Sequence, residues 1–219
     1  MNNITTLLNT EENIPEVFYV FVNFGNFTTK HNLEITKGFT SAAFGQIFMT
    51  DFIEKYVNGN IDYLPFIPNP SKDLMVISLF NNDITSEYQT EYNCELYRRY
   101  NYPKYPSRLS AIYAFGDFET CLKVSEKYHW DIKTVRKFRL EPTPLNRVVK
   151  VNMDIISVSR LAARISMTDP DTQNKIWETY WTGYDNFQLE LPTIKGRKLF
   201  NSEIIWEYLI EGRLTLIED

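Results

Sequence analysis

The chain has 219 residues, 43% hydrophobic and 23% charged, an ordinary globular composition that excludes a disordered chain, with ample length for a real core. A net charge of −5 and a pI near 5.2 argue against a broad, sequence-independent grip on nucleic acid, which needs a basic face. Two cysteines without CxxC spacing and two histidines leave no thiolate zinc site, disulfide framework or histidine-rich metal centre to expect. The longest conspicuous apolar run, Val17–Val22, is too short to span a bilayer, and no basic stretch followed by an apolar one opens the chain. The expectation is therefore a cytoplasmic protein, in its own cell or in a host, with no membrane partner.

In chain order, the first dozen residues are polar and read as loose. Val17–Val22 (VFYVFV) predicts a buried strand ending in a turn at Asn23–Asn26. Phe44, Ile47, Phe48, Phe52 and Tyr56 recur at helical spacing, predicting a helix over Ser41–Val57 stopped by Asn58-Gly59. A proline-rich loop follows over Asn60–Lys72. A second helix is expected over Ser86–Tyr100, with Tyr88, Tyr92, Leu96 and Tyr100 on one face read as core. Ser107–Phe115 (SRLSAIYAF) predicts a strand, and Asp117 caps a helix running to Tyr128. Strands are expected at Thr134–Leu140 and Arg147–Val151, helices at Ile155–Met167 and Thr172–Tyr180, and strands at Phe187–Leu191, Ile204–Ile210 and Leu214–Ile217. Strands without a βαβ rhythm favour α+β, and no glycine-rich phosphate loop is present. The reading is one domain over 1–219, with an N-terminal strand and helical segment over 14–85 and a core over 86–219.

Three stretches contain residue types suited to chemistry. In a strand Ile204–Ile210, Trp206, Tyr208 and Ile210 share one face and Ile205, Glu207 and Leu209 the other, so Glu207 lies among hydrophobes whichever face is core. A carboxylate there is costly unless paired or open to a cleft; the alternatives are an exposed edge strand or a buried ion pair. In Ser107–Phe115, Arg108 stands among small hydroxyls such as Ser110, where its planar fork suits a phosphate or carboxylate, or simply an acid that closes the sheet. Tyr180-Trp181-Thr182-Gly183 offers a flat aromatic wall for a ring, or a core plug. Arg98-Arg99 and Asp154 are weaker signals, and no nucleophile motif is present.

Taken together, Pro106–Phe115 (PSRLSAIYAF), the capped helix Phe118–Tyr128 and Trp206–Ile210 (WEYLI) resemble a little-characterised bacterial and phage family related to ADP-ribosyltransferases. The last motif is similar to the Glu-Tyr-(Ile/Leu)-Val strand of that superfamily, which includes poly-ADP-ribose polymerases and DNA-modifying toxins. Val151–Asp154 and Tyr180–Gly183 also resemble family segments, and the likeness covers about residues 90–219 with the strand at Phe18. The resemblance implies an α+β fold of two small antiparallel sheets with flanking helices, NAD as substrate and no metal. It implies Glu207 as the catalytic acid, Tyr113 as the ring on nicotinamide, and Arg108, Ser110, Tyr19 and Asn23 as cofactor contacts. Val20 stands where the family shows a histidine. Either Asn23 or Arg108 takes over that contact, or turnover is lost.

The chemistry suits these residue types, because breaking the nicotinamide–ribose bond develops an oxocarbenium-like charge that a fixed carboxylate stabilises. The expected activity is mono-ADP-ribosylation of a macromolecular acceptor, a protein in preference to a nucleic acid, by a protein that a phage could encode. The competing expectation is a catalytically silent domain of this kind that binds a protein partner.

Overall fold

The computed structural model describes residues 7–41, 43–46, 50–60, 79–165, 170–183, 187–193 and 196–217. These form an α+β fold in which every strand pairing is antiparallel. The first sheet holds β1 (Phe18–Phe21), β4 (Val135–Leu140), β9 (Arg213–Leu216) and β2 (Gly38–Thr40), in that order across it. The second has β8 (Trp206–Glu211) between β3 (Ile112–Ala114) and β5 (Arg147–Asn152). A separate hairpin joins β6 (Gln188–Thr193) to β7 (Gly196–Asn201). The first two sheets are tied at their edge by an isolated bridge between Tyr19 and Phe115, with N–H to O distances of 2.7 and 2.8 Å.

Three apolar layers follow from strand alternation. Phe18, Val20, Phe138 and Leu214 from the first sheet meet Val148, Tyr208 and Ile210 from the second in a shared inter-sheet core. The opposite face of the second sheet presents Val149, Val151 and Leu209 to the helices α3 (Leu79–Asn101), α5 (Met153–Ile165) and α6 (Pro170–Thr182). A smaller cluster forms where α4 (Phe118–Tyr128) contributes Cys121 and Val124 against Phe115 and Ile205. Asp117 caps α4 by accepting from the Thr120 amide at 2.6 Å.

Several elements differ from the sequence expectation. Only Ile112–Ala114 of Ser107–Phe115 is strand; Ser110 N and Ala111 N both bond to Ser107 O, at 3.1 and 2.8 Å, so the chain turns there. Over Ser41–Val57 the chain forms a short 3-10 turn at Phe44–Gln46 and then α2 (Thr50–Val57), with 42 and 47–49 outside the described residues. Most of the expected proline loop also falls outside them. Helix α1 (Phe27–Thr36), strand β2 and strand β7 were not expected; among the described side chains of α1, Leu33 is the one in the core clusters, so little apolar periodicity announces that helix. The tyrosine stripe of α3 is not core: Tyr92 is buried, but Tyr88 is 36% and Tyr100 80% exposed. The inward face carries Thr90, Cys94, Glu95 and Arg98 instead.

From Leu7 onward the N-terminus is docked, not loose. Leu7 enters the inter-sheet core, and Asn9 clasps the Lys150 backbone, accepting at 3.0 Å and donating at 2.5 Å. Gly183, at φ +72°, lets that contact form, since a Cβ would come within 3.0 Å of Asn9 Nδ2 and Lys150 O. Tyr180 and Trp181 are fully buried, so that stretch plugs the core. Asp154, also buried, accepts from Tyr128 and from the Glu203 amide and pairs with Lys127 at 3.0 Å.

A buried charge network stabilises the turn at Ser107. Arg98 is fully buried; it takes Glu95 with Nε and Nη2 at 2.9 and 2.7 Å and bonds the carbonyls of Pro103 and Tyr105 at 3.0 Å each. Ser107 donates its hydroxyl to Glu95 at 2.9 Å and its amide to Glu211 at 3.3 Å. Glu211 pairs with Arg147 at 2.9 Å, and Arg147 lies 3.4 Å over the Tyr56 ring. Removing one partner strands a buried ion, so Arg98→Met should lower unfolding free energy by about 3–5 kcal/mol. Arg98→Met with Glu95→Gln should recover part of that loss, as read from urea denaturation.

Candidate active site

Glu207 lies on the central strand of the second sheet, paired with Val151 of β5, so it is not on an exposed edge. Alternation puts Tyr208 and Ile210 into the inter-sheet core and turns Glu207 with Leu209 toward the helices. There Glu207, only 3% exposed, lines a cavity of about 360 Å³. One wall is aromatic: Phe21 stands edge-on to Phe115 at 5.9 Å and to Trp130 at 5.2 Å. His129, at φ 59°, ends α4 in the left-handed conformation and turns the chain so that Trp130 reaches this wall. The facing wall comes from α5, where Met153, Ile156, Ser157 and Arg160 follow helical spacing along one stripe.

Arg108 reaches the same cavity from the Ser107 turn, which the buried network fixes. Its guanidinium grips Glu91 of α3 bidentately, at 2.8 and 3.0 Å, and gives Nη1 to the Tyr180 hydroxyl at 2.5 Å. Glu207 Oε2 stands 3.6 Å from Nη1, beyond a good hydrogen bond. Arg160 of α5 donates to the Glu91 Oε1 that also accepts from Arg108 Nη2, at 3.1 Å. Tyr113 of β3 donates its hydroxyl to the Arg108 carbonyl at 2.6 Å, and its ring lies 5.0 Å from the guanidinium carbon.

These surroundings separate the two carboxylates. Burial pushes Glu207 up from its ordinary value near 4.5 to about 7, against the partial attraction of Arg108 and with Glu91 adding repulsion. Burial also opposes ionisation of Glu91, but the Arg108 and Arg160 contacts outweigh it and hold that carboxyl below its usual range. Burial likewise raises the Tyr113 and Tyr180 phenols.

The cavity thus gathers Arg108 and Tyr113, both from the Ser107–Phe115 segment, with Glu207 from about a hundred residues further along the chain. It does not gather Ser110, Tyr19 or Asn23. Ser110 is buried elsewhere and accepts from the Ala43 amide at 2.9 Å. Tyr19 packs against Phe118 at 5.9 Å and borders a separate depression of about 170 Å³. Asn23 is exposed in the turn after β1, where its side chain accepts from Gly25 N at 3.0 Å. Val20 points into the inter-sheet core, away from the cavity.

Glu91 and Arg160 went unnoticed in the sequence. A signal was present: Glu91, Glu95 and Arg98 lie at i, i+4 and i+7, a charged stripe on a helix whose tyrosines drew attention to another face. Among the described residues no group of three or more His, Cys, Asp or Glu is arranged to hold a metal ion, and no helix is long and apolar enough to cross a membrane. In comparisons with known proteins, no family model matches the chain and no curated protein matches its sequence.

The Glu207 shift has a stability consequence. Below about pH 4.5 the carboxyl is protonated folded and unfolded; between about 4.5 and 7 the folded protein alone holds the proton, so stability falls as pH rises. At about 1.4 kcal/mol per pH unit the loss reaches roughly 3 kcal/mol above neutrality. Glu207→Gln should therefore be as stable as wild type at pH 4 and more stable at pH 8, by chemical denaturation at both.

Proposed function

We propose that the Glu207 cavity cleaves the nicotinamide–ribose bond of NAD and transfers ADP-ribose to a macromolecular acceptor. The observation that carries the reading is a buried carboxylate that lines an aromatic-walled cavity with its nearest cation, Arg108, at 3.6 Å and engaged elsewhere. The cavity volume, about 360 Å³, falls at the lower end of the range for small-molecule sites of roughly 300–1,000 Å³. The resemblance of the WEYLI and PSRLSAIYAF segments to ADP-ribosyltransferases supports the same assignment, and the α+β arrangement of small antiparallel sheets is consistent with it.

In this reading the planar nicotinamide lies against Tyr113 or the Phe21–Trp130 wall, while Glu207 holds a ribose hydroxyl and faces the anomeric carbon. As the glycosidic bond breaks, its electrons leave with nicotinamide, which departs neutral, and positive charge grows on the ribose. A carboxylate fixed beside that carbon stabilises this charge more than it stabilises bound NAD. An acceptor nucleophile then attacks the anomeric carbon and loses its proton. Burial of Arg108 in its pair with Glu91 favours a supporting role over direct contact with the pyrophosphate.

The second reading, a silent domain of this type that binds a protein partner, is favoured by Val20. The histidine of the related proteins would be replaced here by a core aliphatic turned away from the cavity. Labelled NAD incubated with the protein and a cell lysate separates the two. Label entering a macromolecular fraction, with nicotinamide released, supports the transferase; partner capture without NAD turnover supports the silent domain.

Glu207→Gln keeps the shape and removes the charge, so NAD cleavage should fall at least about a hundredfold, on the order of 3 kcal/mol in the barrier. The ionised form is the active one, so wild-type cleavage should rise with pH and level off above about 7. A flat profile from pH 5 to 9, or undiminished turnover in the variant, removes Glu207 from the mechanism.

A further inference from the structure

Arg108 sits between two carboxylates and serves one of them. Its Nε and one Nη2 hydrogen meet Glu91 at 2.8 and 3.0 Å, its Nη1 meets Tyr180 at 2.5 Å, and Glu207 is left at 3.6 Å. Glu91 is far from spare: Arg160 holds it from the α5 side at 3.1 Å. The charged and titratable groups acting on Glu207 are Arg108 from the turn, Tyr113 from β3, Glu91 from α3, Arg160 from α5 and Tyr180 from α6. Its register partner on β5 is Val151, which adds no charge. Both cations in this set are engaged by Glu91.

We infer that Glu91 is a positioning residue that withholds Arg108 from Glu207, leaving the reactive carboxylate without a full counter-ion. A fork commits to the carboxylate it can meet with two parallel bonds, and Glu91 offers that geometry where Glu207 offers one long contact. The inference deepens the proposed reading, in which Glu207 faces a developing cation. A carboxylate already locked in a bidentate pair directs less of its charge at the ribose, so an arginine drawn onto Glu207 would weaken the differential stabilisation that speeds the step. Glu91 is the group that prevents this. It does so without touching the substrate.

Losing Glu91 has a defined consequence. Arg108 is almost fully buried and cannot stay unpaired, and the nearest remaining carboxylate is Glu207. Nη1 needs only a small movement to reach Oε2.

The test follows the titration of the Glu207 carboxyl by carbon NMR on protein labelled at the glutamate side-chain carboxyl, assigned by the signal missing from Glu207→Gln. This readout exists whether or not the protein cleaves NAD, so failure of the transferase reading leaves it intact. In Glu91→Gln the Glu207 midpoint should fall by at least about one pH unit, the change expected when an arginine closes on a carboxylate. In Glu91→Gln with Arg108→Gln both charges are gone, and the midpoint should return to within about half a pH unit of wild type. Glu91→Asp, which keeps the charge, should retain most of the wild-type midpoint. An unchanged midpoint in Glu91→Gln overturns the inference. So does a midpoint in the double variant that stays low, because the lost charge of Glu91 alone would then explain the fall, or one that rises by more than about a unit, because Arg108 would then already have served Glu207 in the wild type. If Glu91→Gln does not fold, the double variant, which strands neither Arg108 nor Glu91 and takes a partner only from the partly exposed Arg160, decides by itself.

Discussion

Arg98, Glu95, Glu211 and Arg147 are charges placed almost wholly out of solvent behind a three-stranded sheet, and what satisfies them determines where the cavity residues stand. An isolated interior ion costs several kcal/mol, so each must find an opposite charge or a set of carbonyls. Arg98 collects backbone carbonyls from the segment after α3, and Glu95 and Glu211 both take hydrogens from Ser107. Those bonds hold the chain in a turn where its β-rich composition would favour a strand. As a result Arg108 leaves the backbone pointing at α3 and α6, toward Glu91 and Tyr180, and β3 begins only at Ile112.

Strand β8 then serves two layers at once. Tyr208 and Ile210 fill the space between the sheets, while Glu207 and Leu209 face the helices. A slip of one residue would exchange the two sets, carrying the carboxylate into the inter-sheet core and two large apolar side chains onto the helix side. Pairing on both edges, with Val151 opposite Glu207 and Leu209 opposite Tyr113, opposes such a slip. The position of the cavity carboxylate is therefore tied to the same alternation that builds the hydrophobic core. Its orientation needs no special backbone geometry.

What was legible in the sequence follows the same physics. Strand β8, with an acid between hydrophobes, and helix α4, with its aspartate cap, announce themselves through local pattern, and both form where expected. The inward face of α3 does not, because burial is usually read from apolar residues and here the buried side chains are Glu95, Arg98 and Thr90. The partners that make such burial tolerable are distant: Glu91 lies 17 residues from Arg108 and 69 from Arg160. No window of sequence holds both halves of either pair. The turn at Ser107 was hidden for the same reason, since its stabilising carboxylates lie on α3 and at the end of β8. Helix α1 and strand β7 were missed on different grounds, each being short and largely polar, with little apolar periodicity to reveal it.

The tension in this site is electrostatic, not conformational. Among the described residues the non-glycine positions with positive φ are Lys37 and His129, both at helix C-caps, and Glu207 sits in regular strand. What is unfavourable is charge: one carboxylate, Glu91, receives two arginines, while its neighbour in the same cavity receives part of one. Burial pushes both carboxyls up; the two arginines overturn it at Glu91, whereas at Glu207 burial prevails and the carboxyl rises to about 7. Domains have margins of only about 5–15 kcal/mol, so a fold keeps an uncompensated acid only if the rest of the structure can carry it. Here the inter-sheet core and the paired network behind Ser107 are independent of Glu207. Neutralising Glu207 would relax the protein, whereas neutralising Arg98 or Glu95 would leave a charge stranded. That asymmetry distinguishes the charges that hold the fold from the one that lines the cavity.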